Sequence, residues 1–256
     1  MASDAATKLR VDHGVATITL DRPDSKNSLS AELINSLGDN LKACMADDDV
    51  RVIVLTNSGK TFCAGANLKG GSGEAPRYTL VDVLKILQEA PKVVVGRING
   101  HCTGGGVGVA SACDLSVISS TAQVGFTEVR IGVSPAIISV VCLRKMRRAD
   151  AAELMLSGEK ISARRAAEVG LMNYAVEPEH LDAKVAELVG KLVRGGPNAL
   201  ATTKALVYKV PLMASDEAFA WTAEVSMKCF ASSEAKEGIM AFNKREDAPW
   251  VPKAKL

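Results

Sequence analysis

At 256 residues the chain is long enough for one large domain or for a core with an appendage. Its residues are 47% hydrophobic and 4% aromatic, which supports a sizeable core built mostly from aliphatic side chains. A formal charge of +2 excludes a chain that grips nucleic acid by bulk charge, while leaving room for a local basic site for a phosphorylated ligand.

The N-terminal stretch Met1 to Arg10 lacks the apolar core of a signal peptide. Lys8–Val11 and Val15–Leu20 flank Asp12-His13-Gly14, a hairpin signal, and Asp21-Arg22-Pro23-Asp24 breaks the second strand. Ser30 is placed to cap a helix carrying Leu33, Leu37 and Leu41 at helical spacing. Arg51–Thr56 reads as a buried strand, Thr79–Ala90 as a helix and Lys92–Ile98 as another strand. Val107–Ala112 reads as a helix and Asp114–Ser119 as a strand. Strand and helix alternate, which predicts an α/β architecture with parallel pairing. From about Pro135 the pattern turns helical: Ala136–Met146, Ala149–Leu156, Ala163–Val169, Pro178–Val193, Asn198–Tyr208 and Asp216–Phe242. Asp247–Leu256 carries Pro249 and Pro252 and is expected to be an irregular tail. No run is long and apolar enough to span a membrane, and no repeat or low-complexity tract is visible.

Six cysteines (Cys44, Cys63, Cys102, Cys113, Cys142 and Cys229) sit in apolar or small-residue settings without CxxC spacing. They read as buried reduced thiols of a cytoplasmic protein rather than as metal ligands, and no metal site is expected.

Two glycine-bearing loops carry the chemistry. Cys63-Ala64-Gly65-Ala66-Asn67-Leu68 follows the apolar run Val52-Ile53-Val54-Leu55. Asn99-Gly100-His101-Cys102-Thr103-Gly104-Gly105-Gly106 follows Val93-Val94-Val95. Small residues let backbone N–H groups approach a ligand, and one N–H from each loop aimed at a single oxygen makes an oxyanion hole. Other motifs fit less well. Ser58-Gly59-Lys60-Thr61 resembles the end of a phosphate loop, but Val54 stands where that motif needs glycine, leaving a turn, or Lys60 near an anion. The triple glycine lacks dinucleotide spacing, since Val109 takes the third glycine's place. There is no Gly-x-Ser-x-Gly elbow; of the histidines His13, His101 and His180, only His101 lies in a candidate site loop. Glu128 stands in an apolar, glycine-flanked stretch. Either it is a strand-end residue paired with Arg130 or solvated, or it is buried with a raised pKa suited to proton transfer.

Taken together, the chain resembles the crotonase superfamily, the enoyl-CoA hydratase/isomerase family, over nearly its whole length. The likeness rests on Asp21-Arg22-Pro23…Asn27-Ser28-Leu29, Thr61-Phe62-Cys63-Ala64-Gly65-Ala66-Asn67-Leu68-Lys69 and Asn99-Gly100…Gly104-Gly105-Gly106. It continues through Cys113-Asp114-Leu115 and Phe126-Thr127-Glu128-Val129-Arg130-Ile131-Gly132-Val133-Ser134-Pro135. It ends with Leu156-Ser157-Gly158…Ala166…Gly170-Leu171 and Glu237-Gly238…Ala241-Phe242. The stretch from Glu128 to Ser139 is similar to the methylglutaconyl-CoA hydratase type.

The resemblance implies an α/β fold, a crotonase-like spiral of β-β-α units over residues 1–195, with a helical trimerisation region at 196–256. It implies an acyl-CoA thioester substrate, with coenzyme A part of the substrate and no separate cofactor, and a homotrimer or dimer of trimers. The thioester oxygen would be held by the N–H groups of Ala66 and Gly105. Ser25, Lys26, Ala64 and Leu68 would lie near the adenine end, and Lys244 or Arg245 would meet the phosphates, from a neighbouring subunit if not its own. Glu128 would be the acid/base. Two-carboxylate hydratases carry a further Glu just after the triple glycine, where this chain has Gly108, and the neutral Asn67 stands where Asp is common. The family resemblance puts hydration of a 2-enoyl-CoA first, with Δ3-Δ2 isomerisation close behind as the better chemical fit to a single Glu. An acyl-CoA binder without chemistry is the competing class; a decarboxylase or thioesterase would need His101 or Thr103 in the acyl pocket.

Overall fold

In the computed structural model, which describes residues 5–68 and 75–252, strand pairs are followed by helices throughout the first two thirds of the chain. The residues Met1–Asp4, Lys69 and Lys253–Leu256, parts of the N-terminal, loop and tail readings above, lie outside the described residues. β1 (Thr7–Asp12) and β2 (Val15–Leu20) form the expected antiparallel hairpin. Its turn places His13 at φ 46° and Gly14 at φ 78°, the two positive values that match the twist of a tight hairpin. α1 (Ala31–Ala46) starts at Ser30, whose hydroxyl accepts from the Leu33 N–H at 3.2 Å and satisfies one of the helix's free donors.

Three successive units then repeat one plan. β3 (Val52–Asn57) and β4 (Thr61–Cys63) precede α2 (Leu80–Glu89); β5 (Val93–Ile98) and β6 (His101–Thr103) precede α3 (Gly105–Ala112); β7 (Leu115–Ser119) and β8 (Gln123–Gly125) precede α4 (Ala136–Cys142). The first strand of each unit joins a six-stranded sheet of order β1-β2-β3-β5-β7-β10, where β10 is Tyr174–Val176. The second joins a four-stranded sheet of order β4-β6-β8-β9, where β9 is Lys160–Ser162. Pairing is parallel from β2 through β10, as the alternation predicts, with only β1 and β9 antiparallel. The repeat exists in the backbone without a repeat in the sequence, because each unit needs only apolar alternation and a turn. β3 is buried along its whole length, consistent with a parallel strand covered on both faces.

α5 (Arg148–Ser157), α6 (Ala163–Glu168) and α7 (Leu181–Leu192) follow, then the C-terminal helices α8 (Pro197–Lys209), α9 (Ser215–Ala231) and α10 (Ser233–Lys244). Two expectations are corrected. The single helix read over Asp216–Phe242 is two, because Ser232 takes extended backbone (ψ 156°) and turns its hydroxyl to cap the Ala235 N–H at 3.0 Å. The helix read over Ala136–Met146 ends at Cys142. The described part of the tail, 247–252, is irregular as expected, yet it is docked: Arg51 donates to the Trp250 carbonyl at 2.9 Å and the Trp250 indole donates to the Arg194 carbonyl at 3.0 Å.

α8 is pinned to the core by a buried polar cluster. Lys204 Nζ meets Asp114 Oδ2 at 2.8 Å and donates to the Leu87 and Lys92 carbonyls at 2.7 and 3.1 Å. Tyr208 donates to Asp114 Oδ1 at 3.0 Å. The Lys204 and Asp114 side chains are only 4% and 12% exposed. Burial pushes the Asp114 carboxyl upward, with Lys204 opposing it. Lys204→Met strips that opposition and leaves a buried unpaired carboxylate, so we predict a stability loss of about 3–5 kcal/mol at neutral pH. The deficit should shrink as the pH falls and Asp114 takes up a proton; denaturant melts at pH 7.5 and 5.5 check both parts, and an equal deficit at the two values refutes the charge argument.

Candidate active site

The two glycine loops abut. A Cβ placed on Gly65 (φ 83°) would stand 2.9 Å from the Thr103 carbonyl oxygen and 3.0 Å from the Gly105 nitrogen. Only glycine permits this approach, both for the space and for the backbone conformation. The loops are tied by Thr103 Oγ1, which donates to the Ala64 carbonyl at 3.1 Å, and by Gly106, whose hydrogen lies directly against the Cys63 backbone. A short parallel bridge pairs Leu29 with Ala66, the Leu29 N–H donating to the Gly65 carbonyl at 2.8 Å.

The two predicted donors fall where these loops meet. Ala66 is exposed, and Gly105 is half-buried at the first residue of α3. Neither N–H donates to an acceptor among the described residues. The Gly105 N–H belongs to the first turn of α3, where amides lack intrahelical partners and the helix dipole favours an anion.

Glu128 opens a short 3-10 turn, Glu128–Ile131, closed by Gly132 at φ 77°. Its Oε1 lies beside the second loop: a Cβ on Gly104 would be 3.3 Å away. Its Oε2 is buried and accepts no hydrogen bond from the described residues. Burial raises its pKa above the ordinary carboxylate value, its own N–H opposing weakly. The alternative of a pair with Arg130 is excluded, since Arg130 pairs with Glu159 and donates to the Ser157 carbonyl at 3.0 Å. A half-buried carboxyl with one orphan oxygen and a raised pKa is a candidate for proton transfer.

The residues predicted for the nucleotide end divide. Ser25 and Lys26 lie in the 3-10 turn after β2, Lys26 at φ 57°, and the Lys26 carbonyl accepts from the Ala64 N–H at 3.1 Å. Leu68, 74% exposed, follows on the same loop as Ala64. Lys244 sits in the last turn of α10, exposed, and no hydrogen bond or ion pair among the described residues joins it to that edge. Arg245 follows at φ 59°. His101 is exposed and its Nδ1 accepts from the Gln123 N–H at 3.0 Å, a hydrogen-bonding role. Ser58-Gly59-Lys60-Thr61 is the plain turn between β3 and β4.

Two positioning residues carried no role in the sequence. Asn27, fully buried at φ 50°, accepts from the Arg22 N–H at 2.7 Å and donates to the Ser58 and Thr61 carbonyls at 3.1 and 2.8 Å, locking the 22–29 segment against β4. Asn57 donates to the Gly59 carbonyl at 3.1 Å and accepts from the Asn99 N–H at 3.0 Å, so one side chain ties the β3–β4 turn to the start of the second glycine loop. A polar residue closing an otherwise apolar strand was the available signal for Asn57. Among the described residues no cluster of His, Cys, Asp and Glu is arranged to hold a metal ion, and no helix is long and apolar enough to cross a membrane.

A spiral of strand-strand-helix units with two glycine loops meeting beside one carboxylate is the architecture of a crotonase-type protein. The sequence matches the enoyl-CoA hydratase/isomerase family over residues 10–253, and the chain belongs to that family. A Thermus thermophilus relative is 34% identical over 245 residues, 91% of this chain and 96% of its own length. The crotonyl-CoA hydratase of Syntrophomonas wolfei is 28% identical over 253 residues, 96% of this chain and 97% of its own. An enoyl-CoA hydratase crystal structure from Mycobacterium smegmatis superposes with a TM-score of 0.89 at 31% identity, covering 96% of this chain and 98% of that one.

Proposed function

We propose that this protein hydrates a 2-enoyl-CoA to a 3-hydroxyacyl-CoA, with Glu128 as the single acid/base and the Ala66 and Gly105 N–H groups holding the thioester oxygen. The observation that supports this reading is that the two glycine loops abut, with undonated N–H groups at Ala66 and Gly105, and that the half-buried Glu128 carboxyl lies against the second loop at Gly104. Glu128 takes a proton from water as the water oxygen bonds to C3. The C2=C3 electrons move toward the thioester, whose oxygen gathers charge against the two donors. Glu128 then gives its proton to C2, so the elements of water are added and the carboxylate is restored. Preorganised donors of this kind are each worth on the order of 3–4 kcal/mol to such a step.

A second reading, Δ3-Δ2-enoyl-CoA isomerisation, is favoured by Gly108: one carboxyl suffices to carry a proton from C2 to C4. The resemblance to crotonyl-CoA hydratase supports hydration. Matched 2-enoyl- and 3-enoyl-CoA panels, assayed separately for water addition and double-bond migration, decide between them. Hydration requires that 2-enoyl-CoA be consumed with 3-hydroxyacyl-CoA as product; binding of every thioester without turnover refutes both readings.

The nucleotide end of coenzyme A is assigned to the edge formed by Ser25, Lys26, Ala64 and Leu68, and Lys244 to the phosphates from a neighbouring subunit. Residues 1–195 form the catalytic unit and 196–256 the assembly region of a homotrimer or dimer of trimers. The latter is supported by the exposed Phe219, Met227, Phe230 and Phe242 of α9 and α10, a density of bare apolar surface that monomers seldom leave in water. A cytoplasmic location is supported by the free, buried Cys44, Cys63, Cys102, Cys113 and Cys142.

A further inference from the structure

Gly104, Gly108 and Ser111 recur at helical spacing and share one face of α3 and the turn that begins it. That face meets Glu128 at Gly104 and α4 at Gly108. A Cβ on Gly108 would fall inside the envelope of the Ile138 Cγ2 methyl, 2.8 Å from Ile138 Cβ and 3.6 Å from its Cα. Ile138 is 2% exposed and belongs to the core cluster, so it has nowhere to retreat. Its branched Cβ also restricts χ1, and the colliding atoms lie at the root of the side chain rather than at a flexible end. Next to Gly104 along the α3 face, the place a side chain at position 108 would take is therefore held by a branched alkyl group from α4.

We propose that Ile138 is a specificity-determining residue that fixes this site at one carboxylate. It occupies the volume that any side chain at position 108 would need, one turn of α3 beyond the Gly105 donor. Water near the acyl chain is then oriented by Glu128 alone, and the balance between water addition and proton migration is set by Ile138 as much as by Gly108. The inference rests on the acyl-CoA reading above, but its first test does not.

That test is a thermal-melt cycle of Gly108→Ala, Ile138→Gly and the pair; removing the whole Ile138 side chain leaves only its Cα at 3.6 Å, an ordinary contact. Each single variant should melt lower than the parent. The pair should lose less than the sum of the two, by about 4 °C or more, because the alanine methyl fills the space that isoleucine vacates. The second arm places a carboxylate in the site. Gly108→Glu combined with Ile138→Gly should raise the ratio of hydration to isomerisation about tenfold or more over Ile138→Gly alone, and add a second ionisation to the pH profile. Gly108→Glu with Ile138 in place should fail to do either. Additive losses in the melt cycle overturn the proposal, as does an equal ratio for Gly108→Glu with and without Ile138. If the parent protein turns over neither class of substrate, the acyl-CoA reading falls while the melt cycle still decides whether Ile138 fills this place.

Discussion

Glu128→Gln is expected to lower kcat on the acyl-CoA substrate by about 10²–10⁴-fold, the range typical of losing a positioned acid/base. Glutamine keeps the shape and cannot exchange the proton, so KM should move little. The same substitution should raise thermal stability near neutral pH. The reasoning is one of linkage: the folded state lifts the Glu128 pKa by burial, so the folded protein binds a proton more readily than the unfolded chain does. Stability therefore falls as pH rises through the interval between the unfolded and the folded value, and the deficit is fully present above the folded value. A neutral amide removes it. The pH profile of kcat/KM in the parent should fall on the acid side with a midpoint above the ordinary glutamate value of 4.5 as Glu128 is protonated. Parallel melts and pH–rate profiles of parent and variant measure all three effects. A variant with parental turnover removes Glu128 from the mechanism; a variant that melts lower than the parent shows that the carboxylate is not held at a cost.

How much of this was legible beforehand depends on how local the determining physics is. Ser30 announces α1 because a cap acts within three residues, and Asp12-His13-Gly14 announces the hairpin because the turn needs positive φ there. The glycine loops were legible as close-approach backbone, and their order along the chain carried the family likeness. The short strands β4, β6 and β8 were not, since three residues are too few to show a period. Nor was the break at Ser232, because serine sits acceptably inside a helix and only its capping geometry reveals the stop. At the site, Gly108 was visible as a missing carboxylate. The reason nothing larger fits is Ile138, far along the chain on a different helix, and no local pattern links the two. Glu128 was left between two readings because its partner status depends on Glu159 capturing Arg130, again a tertiary fact.

Gly65→Ala should be nearly as damaging to catalysis as the loss of Glu128, though no side chain is removed. The added methyl would press on the Thr103 carbonyl at 2.9 Å and the Gly105 nitrogen at 3.0 Å, and φ 83° is unfavourable for alanine. Backbone on both sides leaves no flexible atom to yield, so the loops must part. On the proposed reading the Ala66 and Gly105 N–H groups serve one oxygen, so a shift of either would weaken a hydrogen bond that matters most when charge develops there. We predict a kcat loss on the order of 10²–10³-fold, as for deletion of one such donor. Stability should also drop, and Gly14→Ala separates the two effects. Gly14 has a similar φ of 78° but lies in the β1–β2 turn, where a methyl would meet Arg51 Cγ at 3.2 Å. That variant should share the conformational penalty, melt lower and keep parental kcat. Steady-state kinetics and melts on both proteins provide the comparison. If Gly65→Ala melts lower yet turns over as the parent does, the loop spacing does not govern the reaction and the paired-donor assignment of Ala66 and Gly105 fails.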